Sequence, residues 1–344
     1  MIPFNAGRMG GSVKHRRLGT SEIEVPIVIF GAWTIGGWYW GGTDDEESVK
    51  AIHKALDLGI NCFDTAPAYG FGHSERILAR ALKGMRQEVI LATKCGLRWD
   101  EKVGQPLFET KDATGKVYMI SKNLSRESIV HECEESLKRL ETDHIDLYQC
   151  HWPDEETPIE ETMDALLSLK KQGKIRAIGV SNFPRGLIEK CYMIGDVASD
   201  QPKYNLLSRD IEKDVLPYCI ENEIGIISYG PLAQGLLTGK VTMDRRFAQG
   251  DLRETFQVWF KPANRSRVLR ALDNVRPIAQ KYDATLAQVA ISWVVTQPGV
   301  TSAIVGARNT GQVIENANAA EFELSEEDRA TLRCEFEALG GPVE

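Results

Sequence analysis

The stretch HIDLYQCHWPDEETPIEETMDALLSLKKQGKIRAIGV, residues 144–180, contains one complete strand–helix–strand unit. HIDLYQC (144–150) and IRAIGV (175–180) are short apolar runs rich in branched and aromatic residues, as in buried strands. Between them, IEETMDALLSLKKQG (159–173) repeats apolar residues at spacings of three and four, the period of a helix with one buried face, and Gly173 closes it. Two strands joined through a helix in this way pair in parallel, with a right-handed crossover.

The alternation continues in both directions. Further strands are predicted at IVIFG (27–31), INCFD (60–64), EVILATK (88–94), VASDQ (197–201), IGIISY (224–229) and TSAIV (301–305), making eight in all. Amphipathic stretches such as EESVKAIHKALDLG, SRESIVHECEESLKRLE, DIEKDVLPYCIENE and LAQVAISWVVTQ lie between strands. Asp44 or Asp45, Ser125 and Ser325 stand where helix N-caps are needed, and Gly59 stands at a helix end. Eight strand–helix units without a break in composition predict an α/β fold, a closed (β/α)8 TIM barrel, rather than two doubly wound domains. A β-hairpin over residues 14–25 precedes the barrel and an extra helix from Leu324 follows it. One domain is expected over residues 14–340, with residues 1–13 a flexible extension. The long intervals 95–125 and 232–262 are expected to be lids or binding loops.

Composition excludes several classes. At 344 residues, 42% hydrophobic and 26% charged, the chain has enough apolar material for a large core. Its net charge of −8 lacks the basic footprint of a nucleic-acid or anionic-membrane binder, so small-molecule partners are expected. No apolar run reaches the roughly 18 residues of a membrane span, and the start lacks a signal-peptide pattern, so a cytoplasmic location is expected. The seven cysteines never form a C-x-x-C pair, so neither a disulfide framework nor a metal site is signalled. Most are expected to be small buried hydrophobes.

In a barrel of this kind the chemistry lies at the C-terminal strand ends. Asp64 ends INCFD, Lys94 ends VILATK, His151 follows DLYQC, and Tyr69 stands in the loop beyond Asp64. A phenol titrating near 10 becomes a better acid beside an ammonium, so Lys94 is expected to lower the pKa of Tyr69 and Asp64 to keep Lys94 charged. His151 would hydrogen-bond the substrate oxygen.

NCFDTAPAYGFGHSE, ILATKCG, IDLYQCHWPD, GKIRAIGVSNF and SYGPLAQGLLTGK together resemble the hallmarks of the aldo-keto reductase superfamily, over residues 17–332. Within it the chain is most similar to the bacterial general-stress and inositol-associated enzymes, with voltage-gated potassium channel β-subunits more distant. The resemblance implies a (β/α)8 barrel that binds NADP(H), less often NAD(H), and reduces aldehydes and ketones, including sugars, or oxidises alcohols and polyols. It maps Asp64, Tyr69, Lys94 and His151 onto the family's catalytic tetrad, with Tyr69 the proton donor.

Ser181, Asn182 and Gln201 end two strands as neutral donors and acceptors suited to a carboxamide, and the resemblance gives them the nicotinamide amide. It gives Tyr229 the stacking face of the nicotinamide. The glycines 230, 235 and 239 with Lys240 suit a pyrophosphate, and the resemblance assigns that loop to it as a belt, with Pro231, Leu232, Gln234 and Leu236 alongside and Trp33 also at the cofactor. Gly306, Arg308, Gln312, Glu315 and Asn316 surround a predicted helix N-terminus, a ready anion site. Arg308 suits a 2′-phosphate and favours NADP over NAD, although Gly306-Ala307 replaces the Lys-Ser pair of many members.

Trp38, Trp40, Trp99 and Trp152, with Trp33, are expected to line the substrate pocket, because aromatic faces with scattered polar groups suit sugars, polyols and aromatic carbonyl compounds. Two decoys stand nearby. Gly70-Phe71-Gly72 begins a dinucleotide fingerprint that Glu75 breaks, and His131-Glu132 lacks a second histidine at metal spacing, which predicts a solvated charged face. Two competing functions are a Schiff-base lyase using Lys94 and a redox-sensing regulatory protein that holds NADP(H) with slow turnover. No protein partner is indicated.

Overall fold

The computed structural model describes residues 13–343 except Lys102, Ala113, Gln249 and Phe256. The expected extension therefore lies outside the described residues but for Val13, which is buried in the core.

Strands β1 (His15–Arg17) and β2 (Glu24–Pro26) form the predicted hairpin, and β3 (Val28–Gly31) enters the barrel. Helix α1 (Asp45–Asp57), β4 (Cys62–Asp64), α2 (His73–Ala81) and β5 (Ile90–Cys95) follow. The interval after β5 is not a bare loop. It folds as a three-stranded antiparallel sheet of β6 (Leu97–Arg98), β7 (Gln105–Lys111) and β8 (Val117–Lys122), in the order β6-β8-β7. The chain resumes with α3 (Arg126–Arg139), β9 (Ile145–Cys150), α4 (Ile159–Lys171), β10 (Ile175–Ser181), α5 (Arg185–Ile194) and β11 (Ser199–Gln201). Next come α6 (Val215–Glu221), β12 (Gly225–Tyr229), a short α7 (Leu252–Thr255), α8 (Pro262–Lys281) and α9 (Leu286–Val295). Strand β13 (Val300–Gly306), α10 (Thr310–Asn318) and the extra helix α11 (Glu326–Glu337) complete the chain.

Eight parallel strands close in the order β10-β11-β12-β13-β3-β4-β5-β9. Local chemistry explains where the surrounding helices begin and end. Asp44 caps α1 by accepting from the amides of Glu46 and Glu47 at 3.0 and 3.1 Å, and three acidic residues in the first turn face the positive end of its dipole. Gly59 and Gly173, at φ +81° and +74°, stop α1 and α4 in the left-handed conformation that glycine adopts without strain. Helix α4 buries Met163, Leu166 and Leu169 on one face, and each such side chain removed from water contributes about 2 kcal/mol.

The hairpin plugs the start of the barrel. Its Leu18, Ile23 and Val25 pack in one cluster with the inward-facing Ile29, Cys62, Leu147 and Ala177. A solid apolar floor leaves the opposite, C-terminal strand ends to carry polar side chains.

Six cysteines are buried and Cys334 is exposed. No helix among the described residues is long and apolar enough to cross a membrane.

Candidate active site

Asp64 is the last residue of β4 and Lys94 lies near the end of β5, on neighbouring parallel strands. Lys94 is fully buried, and its ammonium donates to Asp64 Oδ1 at 2.6 Å, to the Thr65 carbonyl at 2.8 Å and to the Tyr69 phenol oxygen at 3.3 Å. All three N–H groups of the lysine are thus engaged. Because Tyr69 accepts from Lys94, its own hydroxyl proton is directed elsewhere. The His151 ring meets the Tyr69 ring edge to face at 5.7 Å. The structure therefore brings together the four residues singled out in the sequence, three at strand ends and Tyr69 from the loop after β4.

The electrostatics correct the expectation. Burial, helped by the charge of Asp64, pushes the Tyr69 phenol well above its ordinary value. Burial also lowers Lys94, outweighing the attraction of Asp64. The cost of placing charge in a low-dielectric wall dominates over the pairing. His151 is driven well below its ordinary value by burial and then by the Lys94 charge, so it is neutral at physiological pH.

Two side-chain amides complete the partners of Asp64. Its Oδ2 accepts from Gln201 Nε2 at 2.8 Å and from Gln149 Nε2 at 3.1 Å, and Gln201 Nε2 also donates to Gln149 Oε1 at 2.9 Å. Sequence reasoning missed Gln149. The available signal was a polar residue inside the apolar run IDLYQC, two positions before His151 and hence on the same strand face.

Ser181, Asn182, Gln201 and Tyr229 also converge. Ser181 Oγ donates to the Gln201 carbonyl at 2.7 Å. Asn182, held at φ +60°, donates to the His151 carbonyl at 3.0 Å and accepts from the Tyr229 hydroxyl at 2.9 Å. Beyond Tyr229, Gly230, Ala233, Gln234, Gly235 and Gly239 all have positive φ, between +46° and +93°. A Cβ added at Gly235 meets no atom within 4 Å, so the backbone at that residue is open to the close approach of an anion. Pro231 and Leu236 are buried, whereas Leu232 and Gln234 are half-buried. Lys240 reaches across to α10 and donates to both oxygens of Glu315, at 2.9 and 2.6 Å. A cavity of about 470 Å³ opens at this junction, lined by Lys240, Gln288, Asn309, Gln312, Glu315 and their neighbours.

The N-terminus of α10 is partly satisfied internally. Asn309 accepts from the Gln312 amide at 3.0 Å, and the Gln312 side chain accepts from the Arg308 amide at 2.8 Å. Asn316 donates to the Gly306 carbonyl at 3.3 Å. Arg308 donates to the Trp40 carbonyl, and its guanidinium lies 5.7 Å from the Trp40 ring. A guanidinium has five N–H donors, so this leaves others for a phosphate.

The five tryptophans expected at the pocket divide. Trp33 stacks on Tyr69 at 5.9 Å and meets Trp40 edge-on at 5.4 Å, and the indole N–H groups of both are buried without a partner among the described residues. Trp38 and Trp99 instead pack on Phe71, at 5.5 and 5.4 Å, in an aromatic cluster that anchors the β6-β8-β7 sheet. Trp152 is exposed. The predicted solvated face at His131-Glu132 is also corrected: Glu132 is buried and accepts from the Gly96 amide at 2.9 Å and from Ser128 Oγ at 3.2 Å. Helix α3 turns that residue inward, against the turn that follows β5.

The closed parallel barrel carries a buried Asp64–Lys94 pair beside half-buried Tyr69 at its strand ends, and the family the chain belongs to is one of oxidoreductases. The chain belongs to the aldo/keto reductase family, whose model matches residues 27–334. It is 40% identical over 335 residues to aldo-keto reductase YhdN of Bacillus subtilis (strain 168), covering 96% of each chain. It is also 40% identical over 328 residues to the NADH-specific methylglyoxal reductase of Escherichia coli (strain K12), covering 94% of this chain and 98% of that one. Among solved structures it resembles the glycerol dehydrogenase AKR11B4 from Gluconobacter oxydans with a TM-score of 0.85 and 38% identity, covering 97% of this chain and 98% of that one. The family works with nicotinamide cofactors on small carbonyl compounds.

Proposed function

We propose that the protein is an NADP(H)-dependent reductase of aldehydes and ketones, sugars and polyols included, with Tyr69 donating the proton in reduction and accepting it in oxidation. The observation that carries this reading is the placement of Lys94 Nζ between Asp64 Oδ1 and the Tyr69 oxygen. The phenol stays protonated at neutral pH because burial raises it, and the ammonium beside its oxygen stabilises the charge that develops there as the proton leaves. Neutral His151, edge-on to Tyr69, serves as a hydrogen-bond partner for the substrate oxygen, and Trp33 supplies an apolar wall beside it.

The cofactor supplies or takes up the hydride. Ser181, Asn182 and Gln201 would hold its amide, and Tyr229 would pack against the ring. The belt from Gly230 to Lys240, with Leu232 and Gln234, would follow the pyrophosphate, and Arg308, Gln312, Glu315 and Asn316 would receive the adenosine end. The unspent N–H groups of Trp33 and Trp40 and the open backbone at Gly235 fit a polar ligand of that length. Arg308 gives the preference for a 2′-phosphate.

The Schiff-base alternative is disfavoured by the surroundings of Lys94, where Asp64 Oδ1 at 2.6 Å, the Thr65 carbonyl and the Tyr69 oxygen are acceptors that favour the ammonium over the free amine. The proposal is tested by fluorescence titration with NADPH and NADH, followed by nicotinamide absorbance with a panel including methylglyoxal, other aldehydes, ketones, glycerol and inositols. Tight NADPH binding with carbonyl-dependent oxidation supports it. Binding without turnover favours the redox-sensing alternative, and no binding of either nucleotide sinks both.

A further inference from the structure

We propose that Gln149 is a positioning residue of the proton relay: it holds the oxygen of Asp64 that Lys94 leaves open and, through Gln201, joins the relay to the strand end expected to grip the nicotinamide amide. This rests on the assignment of Asp64, Lys94 and Tyr69 made above.

Gln149 is fully buried on β9, in register with Lys94 on one neighbouring strand and Gly179 on the other. Its orientation is fixed by chemistry. An ionised carboxylate only accepts, so the amide must present Nε2 to Asp64 Oδ2, and its Oε1 then faces Gln201 Nε2. The second N–H of Gln201 goes to the same carboxylate oxygen. Asp64 is therefore held by one ammonium on Oδ1 and two amides on Oδ2, a set in which every partner donates. The space for this is built in at Gly179, where an added Cβ would stand 2.9 Å from Gln149 Cγ and 2.7 Å from Ser199 Oγ. The titratable groups facing Asp64 are Lys94 from β5, Tyr69 from the loop after β4 and Cys62 below it on β4, with His151 sensing the pair through Lys94.

Hydrogen bonds to a carboxylate favour its charged form, so removing a donor makes the coupled relay hold its proton more tightly. In alcohol oxidation the relay must accept a proton, and kcat rises with pH as it empties. The test compares wild type, Gln149→Met, Gln149→Glu and Tyr69→Phe, using as alcohol the product of whichever panel carbonyl is reduced. In Gln149→Met this rise is expected about one pH unit higher, with kcat at pH 7 lowered roughly tenfold. The KM and the NADPH Kd read by fluorescence should stay within about twofold, because Gln149 lies below the rim. Gln149→Glu, which keeps the size but sets two carboxyls against each other, should move the rise further, since like charges at one site hold a shared proton to higher pH. A packing role alone would leave the Gln149→Met profile unmoved, whereas Gln149→Glu shows that a charge at this position reaches the relay. An unmoved rise in Gln149→Met, with Tyr69→Phe inactive, overturns the role of Gln149 alone. Retained turnover in Tyr69→Phe, or no carbonyl reduced at all, overturns the relay assignment and the role of Gln149 with it.

Discussion

Lys94 Nζ and Asp64 Oδ1 lie 2.6 Å apart with side-chain exposures of 0% and 3%, so an ion pair spans two neighbouring barrel strands with almost no water around it. Such a pair is costly to desolvate, and burial does lower Lys94. Under the proposed function the pair has a use: it places an ammonium against the oxygen of Tyr69.

Replacing the phenol tests that use. Tyr69→Phe keeps the ring stacked on Trp33 but removes the proton donor, so kcat for carbonyl reduction should fall about 100-fold or more, with nicotinamide affinity and melting temperature little changed. Steady-state kinetics with the best panel substrate, beside a fluorescence titration, checks this. Wild-type turnover would sink the assigned role.

Breaking the pair from one side should damage stability as well as activity. Lys94→Met strands Asp64 with only its two amide partners, and loss of one member of a buried pair costs about 3–5 kcal/mol. Urea denaturation should show that loss, and the double variant Asp64→Asn, Lys94→Met should recover much of it while remaining inactive. A single variant as stable as wild type would show that the pair is not desolvated as described.

Cofactor choice is expected to depend on Arg308. A charge-assisted contact to a phosphate contributes about 1.5–3 kcal/mol, so Arg308→Ser should weaken NADPH binding roughly 10–100-fold and NADH binding far less. Equal losses for both nucleotides would mean that the contact of Arg308 with Trp40, rather than a 2′-phosphate, governs the effect.

Stability should vary with pH through Glu132, which burial pushes from an ordinary value of 4.5 up to about 7. The folded state binds the proton more tightly than the unfolded chain, so this group's contribution is fully present below about pH 4.5 and is lost as pH rises to about 7, then stays level. The loss is on the order of 3 kcal/mol. Glu132→Gln keeps an acceptor for the Gly96 amide and cannot ionise, so its melting temperature should exceed that of wild type at pH 8 and converge with it near pH 5. The same gap between the two proteins at both pH values would remove Glu132 as the cause.

Much of this molecule was legible as sequence because the deciding patterns are local. The alternation of apolar strands with helical periods specifies the barrel, and Asp64, Lys94 and His151 stand out as polar residues at strand ends, since a closed barrel turns every strand end to one face. Ser181, Asn182, Gln201 and Tyr229 followed by the same logic. What the tertiary structure decided was everything that depends on distance across strands or on desolvation. Strand register brought Gln149 and Gln201 onto one oxygen of Asp64. Packing around Phe71 drew Trp38 and Trp99 away from Tyr69 and left Trp33 beside it. The inward face of α3 buried Glu132, where sequence spacing had suggested solvent. Burial also reversed the expected direction of the Tyr69 shift, because periodicity shows which face a residue occupies but not how much water is left around it once the barrel closes.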